Sequence, residues 1–237
     1  MGVVKEKEGE STLNKKLKKE PIGWVNKHLV VYNAGALFAF ILFASIQNWS
    51  LLAGQNLMKY DIWDAEYPLQ VMMSDAISNH TVPIWNPLMQ YGSPNYAMVG
   101  TPVWYPFTLI LACIGYTPTV LAVSYVMHIV IGSFGMFLLA GEELKGENKS
   151  WKGYGYFTSV IVGLIYGTSG VFLSNAQHIM IIISMAWMPY VFYYVRRYLK
   201  KGDIVFAMSA GLCAGLIFLG GYPEMFYDLF LFLIPYV

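Results

Sequence analysis

The sequence predicts an all-α fold, a polytopic bundle of transmembrane helices with one long loop after the first helix. Of the 237 residues, 57% are hydrophobic and only 12% are charged, about half the charged fraction of an ordinary soluble domain. The apolar residues also fall into runs of helix length. Because lipid offers no hydrogen-bond partners, such runs must pair their backbone groups internally as helices. This composition excludes a water-soluble domain and gives no reason to expect a nucleic-acid partner.

The chain begins with a basic tail and a first span. Residues 1–27 contain seven lysines among scattered acids and lack apolar periodicity before Ile22, which is typical of a cytoplasmic tail. The apolar run 28–47 follows, and its basic prefix predicts an N-terminus inside the cell. Its long polar leader favours an uncleaved span over a signal peptide. We therefore expect a transmembrane domain over residues 28–237.

Further apolar runs predict the later spans, at residues 119–140, 154–173, 178–195 and 204–219. A last run begins near Met225 and covers roughly thirteen residues, short of the ~20 that a crossing needs. From this we expect the chain to be the N-terminal part of a longer protein.

The distribution of basic residues predicts the topology. The segment 103–116 is either a short span or a helix lying at the membrane surface. If it lies flat, the tail, the lysines of the connector 141–153 and the cluster from Arg196 to Lys201 all fall on the cytoplasmic side, as the positive-inside rule favours. This arrangement places a loop of about residues 48–117 on the outer face.

Within this loop, residues 69–79 predict an amphipathic helix at the interface. Its apolar face would hold Leu69, Met72, Met73, Ala76 and Ile77, and its polar face Gln70, Ser74, Asp75, Ser78 and Asn79. Five prolines between residues 83 and 106 predict an irregular chain beyond it. In the later spans, the glycine pairs Gly163 with Gly167 and Gly211 with Gly215 have the spacing of closely packed helices.

Three acids just beyond the first span, Asp61, Asp64 and Glu66, are the sharpest candidate for chemistry. Carboxylates crowded beside an apolar surface repel one another and lose solvation, so at least one should have a raised pKa and take a proton from a hydroxyl near neutral pH. On a helix Asp61 and Asp64 share a face, whereas on an extended chain Asp64 and Glu66 do, and the sequence does not choose between them. A hydrated acidic patch is the alternative interpretation.

The predicted topology gathers other polar residues on the outer face. They include Asn95 in the loop, Gln177 and His178 where the fourth span begins, and Glu224 after a Gly-Gly-Tyr-Pro turn. Acids entering an apolar span are functional candidates. A single histidine at a span end is more often an interfacial hydrogen-bonding residue, so His178 carries both interpretations.

Several short motifs together resemble the bacterial YfhO family of multi-pass membrane proteins, which belongs to the wider group of GT-C glycosyltransferases. They are residues 61–70, PIWNP at 83–87, YGSPNYA at 91–97, WYP at 104–106, SNAQH at 174–178 and GGYPE at 220–224. The resemblance extends from about Trp24 onward. It departs in length, because family members continue through further spans and an outer C-terminal domain.

The resemblance implies a GT-C-like fold in a bacterial plasma membrane and an enzyme that takes sugar from a polyprenyl-phosphate donor. The acceptor would be a lipid or a cell-envelope glycopolymer. Asp61 or Asp64 would be the catalytic acid of the first outer loop, and residues 69–79 and 103–116 would form its two surface helices. The expected substrate-binding residues are Glu66, Asn95, Gln177, His178 and Glu224. Carboxylate oxygens also suit Mg²⁺ or Mn²⁺, so a divalent cation is a candidate cofactor.

Two other functions fit the same residues. A transporter or flippase would use the outer acids and His178 to line a path, although it predicts internal repeats that the sequence does not show. A non-catalytic scaffold in the membrane would carry the acids as a solvated rim. An enzyme should bring Asp61 or Asp64 toward His178 and Glu224, whereas a scaffold would scatter them.

Overall fold

A computed structural model describes residues 27–87, 89, 91–98, 100–144 and 154–237. The predicted tail, apart from its last residue, and most of the connector 141–153 lie outside the described residues. The chain divides into two units, Met1–Gly35 and Ala36–Val237. Nearly all of the described structure belongs to the second.

The described chain is mostly helical, and its helices follow one another with short connections outside the loop. They are α1 (Lys27–Gln47), α2 (Trp49–Leu52), a π-helical turn (Ile62–Glu66), α3 (Tyr67–Ser78), a 3₁₀ turn (Asn95–Ala97), α4 (Pro106–Ala112), α5 (Pro118–Leu144), α6 (Tyr154–Gly167), α7 (Gly170–Ser174), α8 (Ile179–Lys201), α9 (Ile204–Leu219) and α10 (Pro223–Tyr236).

Four stretches in the described chain are long and apolar enough to cross a membrane: Val30–Gln47, Pro118–Leu144, Tyr154–Ser174 and Ile179–Lys201. This finding supports a membrane protein. α9 is apolar but has only 16 residues, about 24 Å of helix. α4 has seven residues, about 10 Å, which is too short for a crossing.

Small and aromatic residues pack the spans together. Phe40 of α1 lies edge-on against Phe137 of α5, with ring centroids 6.1 Å apart. A Cβ at Gly163 of α6 would lie 2.7 Å from both the Phe40 ring and the Ser133 carbonyl oxygen. The close approach of α5 and α6 is therefore possible only because Gly163 has no side chain.

The two glycine pairs have different environments. Gly163 and Gly167 both face α5, as their spacing predicted. The prediction is wrong for Gly211 and Gly215, because a Cβ at either position would meet no described atom within 4 Å. Glycine spacing alone does not say which helix face is covered.

The bundle has two chemically distinct ends. At one end Glu142 forms ion pairs with Lys200 at 3.0 Å and Arg197 at 3.6 Å, and Glu143 pairs with Arg196 at 3.3 Å. The other end, called the loop end below, carries the loop 48–117, the turn 175–178 and the turn at Gly220 and Gly221. The Gly100 amide donates to the Gly221 carbonyl at 2.9 Å across this end.

The loop is folded into the end of the bundle. Its buried residues Ile62, Met73 and Tyr105 share one core with Tyr125 of α5 and Ile182 of α8. The predicted helix 103–116 is helical only over α4, because Pro102 and Pro106 interrupt the chain before it and Gly115 has a positive φ of 92° after it.

The polar face predicted for residues 69–79 is wrong for Gln70 and Ser74, which are 0% and 4% exposed. The reason is that α3 packs against α4 on this side. The Ser74 hydroxyl donates to the Ala112 carbonyl at 2.8 Å and accepts from the Tyr116 amide at 3.2 Å. Asp75, on the same predicted face, is exposed.

A short hairpin completes the described loop. β1 (Trp85–Asn86) pairs antiparallel with β2 (Ser93–Pro94). The Asn95 backbone amide donates to the Ile84 carbonyl at 2.8 Å and its side-chain amide to the Pro83 carbonyl at 2.9 Å. Asn95 therefore closes the base of the hairpin.

Candidate active site

An acid of the loop meets a histidine at the head of α8. Asp61 Oδ2 lies 3.8 Å from His178 Nδ1, and the two side chains are 64% and 23% exposed. Asp61 immediately precedes the π-helical turn, and His178 is the N-cap residue of α8, where it makes no capping hydrogen bond through its side chain. The pair is open to solvent at the loop end.

Gln177 orients the His178 ring. Its amide nitrogen lies 3.2 Å from His178 Nε2 and is placed to donate to it. A neutral ring that accepts at Nε2 carries its proton on Nδ1, facing the Asp61 carboxylate. The three predicted site residues Asp61, Gln177 and His178 thus form one contact chain.

The three acids of the loop face three different environments. The segment is helical, but it has the i to i+5 backbone hydrogen-bond pattern of a π-helix. Asp61 lies close enough to Glu66 for its charge to affect the Glu66 carboxyl, a pairing that neither the α-helical nor the extended expectation gave. Asp64 is exposed and lies elsewhere.

Asp64 lines a cavity of about 180 Å³ between α3 and the hairpin. The other lining residues are Ala65, Pro68, Leu69, Met72, Asn86 and Met89. No described residue forms an ion pair with the Asp64 carboxylate within 4 Å. A cavity of this size has room for several water molecules.

Glu66 is the buried acid of the three, with 1% of its surface exposed. Burial raises the pKa of Glu66 from 4.5 to about 8, the backbone amides of Ile179 and Met180 act in the opposite direction, and the negative charge of Asp61 adds to the increase. Neither carboxylate oxygen makes a hydrogen bond of ordinary geometry with a described residue. Glu66 is thus the acid with the raised pKa that the crowded sequence led us to expect.

Two more buried polar side chains accompany Glu66. Gln70, one α-helical turn along, is fully buried, and neither of its amide atoms bonds to the described chain. The Tyr116 hydroxyl is likewise buried and makes no hydrogen bond of ordinary geometry with a described residue. Burial raises the pKa of Tyr116, the nearby Ser124 hydroxyl acts in the opposite direction, and the charge of Glu66 adds to the increase. Unpaired buried groups are costly and often mark a bound water, ion or ligand.

Glu224 and Asn95 lie at the same end but outside the Asp61 contact chain. Glu224 is exposed in the first turn of α10, and the preceding turn is held to the loop by the bond from Gly100 to Gly221. Gly221 has a φ of 91°, and a Cβ there would lie 2.6 Å from the Thr101 backbone. Asn95 has its Oδ1 buried without a hydrogen bond in the described part of the hairpin.

The structure also reveals a buried polar network deeper in the bundle. The Tyr105 hydroxyl accepts from Trp187 Nε1 at 2.6 Å and donates to His128 Nε2 at 2.9 Å. His128 Nδ1 donates to the Ser124 carbonyl at 2.6 Å. Every ring nitrogen is paired, so this network anchors the loop between α5 and α8. The sequence indicated no partner for His128, because Tyr105 comes from an irregular segment.

The described side chains do not form a ready-made metal cluster. No three His, Cys, Asp or Glu residues in the described ranges are grouped closely enough to hold a metal ion. Asp61 is paired with a histidine, and Glu66 is buried at the start of a helix, where the helix dipole disfavours a cation.

Comparisons with protein-family models, curated proteins and solved structures find no match for this chain.

Proposed function

We propose that this protein is a membrane glycosyltransferase that moves a sugar from a polyprenyl-phosphate donor to a hydroxyl of a lipid or cell-envelope glycopolymer. The observation that carries the proposal is the contact between Asp61 and His178 at the solvent-exposed end of an apolar bundle. This contact places a carboxylate and an imidazole together at one end of the membrane-spanning bundle. The resemblance of the loop motifs to the YfhO family supports the same interpretation.

Asp61 is the proposed general base of this reaction. The donor sugar presents its anomeric carbon, and Asp61 removes the proton of the acceptor hydroxyl as that oxygen attacks. The exposure of Asp61 lets an acceptor reach it from water. Asp64, beside its own cavity, is the second candidate for this role, and Glu224 and Asn95 are candidates for binding sugar hydroxyls.

An apolar cavity offers a place for the donor's isoprenoid chain. It measures about 430 Å³ and is lined by Ile41, Ser45, Leu52, Val123, Val126, Met127, Val130 and Ile131 of α1, α2 and α5. Its lining is apolar except for Ser45, and Leu52 belongs to the loop that carries Asp61. An isoprenoid chain in this cavity would keep its phosphate near the loop end.

We further propose that the loop end faces outward in a bacterial plasma membrane, with the N-terminus in the cytoplasm. The basic residues Arg196, Arg197 and Lys200 cluster at the opposite end with Glu142 and Glu143. With Lys201, four basic residues stand at this end within six positions of the chain, as expected for a cytoplasmic end.

The test is a donor panel with the purified protein in lipid nanodiscs. Polyprenyl phosphates carrying different hexoses are mixed with a lipid acceptor, and released polyprenyl phosphate and glycosylated lipid are measured. The proposal predicts matched release and transfer for at least one donor. Movement of labelled donor across proteoliposome membranes without sugar release would instead indicate a flippase, and neither result in any donor would support a scaffold.

A further inference from the structure

Glu66 is a costly residue for the fold. It is almost fully buried, and neither of its oxygens makes a hydrogen bond of ordinary geometry with the described chain. It ends a π-helical turn, a conformation that is rare and is frequent at functional sites. Both observations indicate that Glu66 has a role other than packing.

Glu66 is directed at the start of α8. The backbone amides of Ile179 and Met180 lie close enough to affect its ionisation. The hydrogen bonds of α8 begin later, with the Ile181 amide donating to the His178 carbonyl at 3.0 Å. These first amides of the 23-residue helix face the Glu66 carboxyl, at a helix end whose dipole favours an anion.

We propose that the first turn of α8, His178 and Glu66 bind the phosphate of the donor, and that Glu66 is the acid that protonates this phosphate as it leaves. The proposal rests on the proposed glycosyl transfer. The helix amides donate to phosphate oxygens, His178 donates through its Nδ1–H, and a neutral Glu66 donates through its hydroxyl. The raised pKa of Glu66 supports the neutral form at pH 7. Entry of the phosphate requires the π-helical turn to shift, because Glu66 is covered in the free protein.

The complete step balances atoms and charges. The acceptor oxygen forms a bond to the anomeric carbon and gives its proton to Asp61. The bond from that carbon to the phosphate oxygen breaks, its electron pair stays on the phosphate, and Glu66 gives its proton to the phosphate. Proton transfer from Asp61 back to Glu66 resets the site. A buried carboxyl group beside an exposed one is a recurring arrangement for such acid and base pairs.

The first test measures binding of polyprenyl phosphate without sugar, at pH 6.5 and pH 9.5. Since an ionised Glu66 repels phosphate, wild type should bind at least about tenfold more weakly at the higher pH. Glu66→Gln keeps a donor and cannot ionise, so its binding should lose most of this dependence. An unchanged pH dependence in Glu66→Gln would overturn the phosphate site.

Other titratable groups around Glu66 need their own controls. They are Asp61 from the same segment, His178 before α8, and Tyr67 and Tyr116 from α3 and the end of the loop. The control variants should each retain the part of the pH dependence of binding that Glu66→Gln removes; they are Asp61→Asn, His178→Asn, Tyr67→Phe and Tyr116→Phe. The role of Glu66 would be overturned if one of these variants lost the pH dependence of binding while Glu66→Gln kept it, because the titrating group would then be the residue changed in that variant.

The second test separates acid catalysis from a structural role. Glu66→Gln should lose about 10²- to 10⁴-fold in transfer from the polyprenyl-phosphate donor. With a dinitrophenyl glycoside of the same sugar, whose leaving group needs no proton, it should transfer at nearly the wild-type rate, whereas Asp61→Asn should stay defective with both donors. Equal loss of Glu66→Gln activity with both donors, or no loss with either, would overturn the acid role. If the wild-type protein transfers sugar from no donor, the proposed glycosyl transfer is contradicted, and so is the role of Glu66 as its acid. The phosphate site is tested separately, by the binding of polyprenyl phosphate.

Discussion

Asp61 and His178 meet at 3.8 Å although one precedes a π-helical turn of the loop and the other begins α8. This contact brings the first loop and the middle of the chain to one exposed point. Glu66 lies near it in the core, against the first amides of α8. Two acids five residues apart in the chain therefore lie near the start of α8, Asp61 exposed to water and Glu66 buried in the core.

The buried Glu66 should make stability depend on pH. Its pKa is about 8 in the folded protein and 4.5 as its ordinary value, so the folded state holds the proton more tightly. The contribution of Glu66 to stability is fully present below pH 4.5 and is lost as the pH rises to about 8. The interval between the two pKa values corresponds to a decrease on the order of 5 kcal/mol in the free energy of unfolding.

Glu66→Gln should therefore stabilise the protein above about pH 6, and increasingly so up to about pH 8. Thermal unfolding in detergent at pH 5 and pH 8 measures the difference. Glu224→Gln, at an exposed acid, is the matched control and should leave the unfolding temperature nearly unchanged. Glu66→Gln with the same pH dependence as wild type would show that Glu66 is not buried in its neutral form.

The Tyr105 network predicts a second effect on stability. Tyr105→Phe leaves Trp187 Nε1 and His128 Nε2 without their partner, and each lost bond to a buried polar group costs about 1–3 kcal/mol. We expect a clear fall in the unfolding temperature. Tyr96→Phe, at a tyrosine that is 62% exposed, should have little effect. Equal stability of the two variants would contradict the network.

The two glycine pairs predict opposite results for the same substitution. Gly163→Ala places a Cβ against Phe40 and the Ser133 carbonyl, and such overpacking costs about 1–3 kcal/mol. Gly215→Ala meets no described atom, so the better helix propensity of alanine should leave stability unchanged or raise it by up to about 1 kcal/mol. Unfolding temperatures of both variants decide the point. The packing of α5 on α6 would be contradicted by a Gly163→Ala protein as stable as wild type.

The proposed orientation predicts which end of the bundle reacts from outside the cell. In a background with Cys113 and Cys213 replaced by serine, His80→Cys introduces an exposed thiol on the loop, and Lys201→Cys one at the opposite end. A membrane-impermeant maleimide applied to intact cells should label only the first variant. Permeabilised cells should label both, which controls for reactivity. Labelling of Lys201→Cys alone in intact cells would reverse the orientation.

Much of the fold follows from the sequence, because a lipid-spanning helix depends mainly on the length of an apolar run. The runs 28–47, 119–140, 154–173 and 178–195 each correspond to a described helical stretch long and apolar enough to span, the third of them divided between α6 and α7. Their ends shift where polar residues extend a helix, as at the end of α8, which continues to Lys201 instead of residue 195. Hydropathy marks the apolar part of a helix and not its polar end.

The site could be predicted only in part. The distribution of basic residues along the chain predicted that Asp61 and His178 lie at one end of the bundle. The burial of Glu66 depends on a π-helical turn that no spacing rule indicated. Gln70 and Ser74 were assigned to a polar face because helical periodicity cannot show which side of a helix the rest of the fold covers. Tyr105 reaches His128 through an irregular segment, and such contacts across the fold have no local sequence signal.

The most direct measurement for the proposed function is sugar transfer by Asp61→Asn in nanodiscs, with the donor that wild type accepts. Asp75→Asn, which changes an exposed acid of the same loop, is the control. Loss of a general base should lower the transfer rate of Asp61→Asn by about 10²- to 10⁴-fold, while Asp75→Asn and the unfolding temperatures stay near wild type. Transfer by Asp61→Asn at the wild-type rate would contradict the proposed active site.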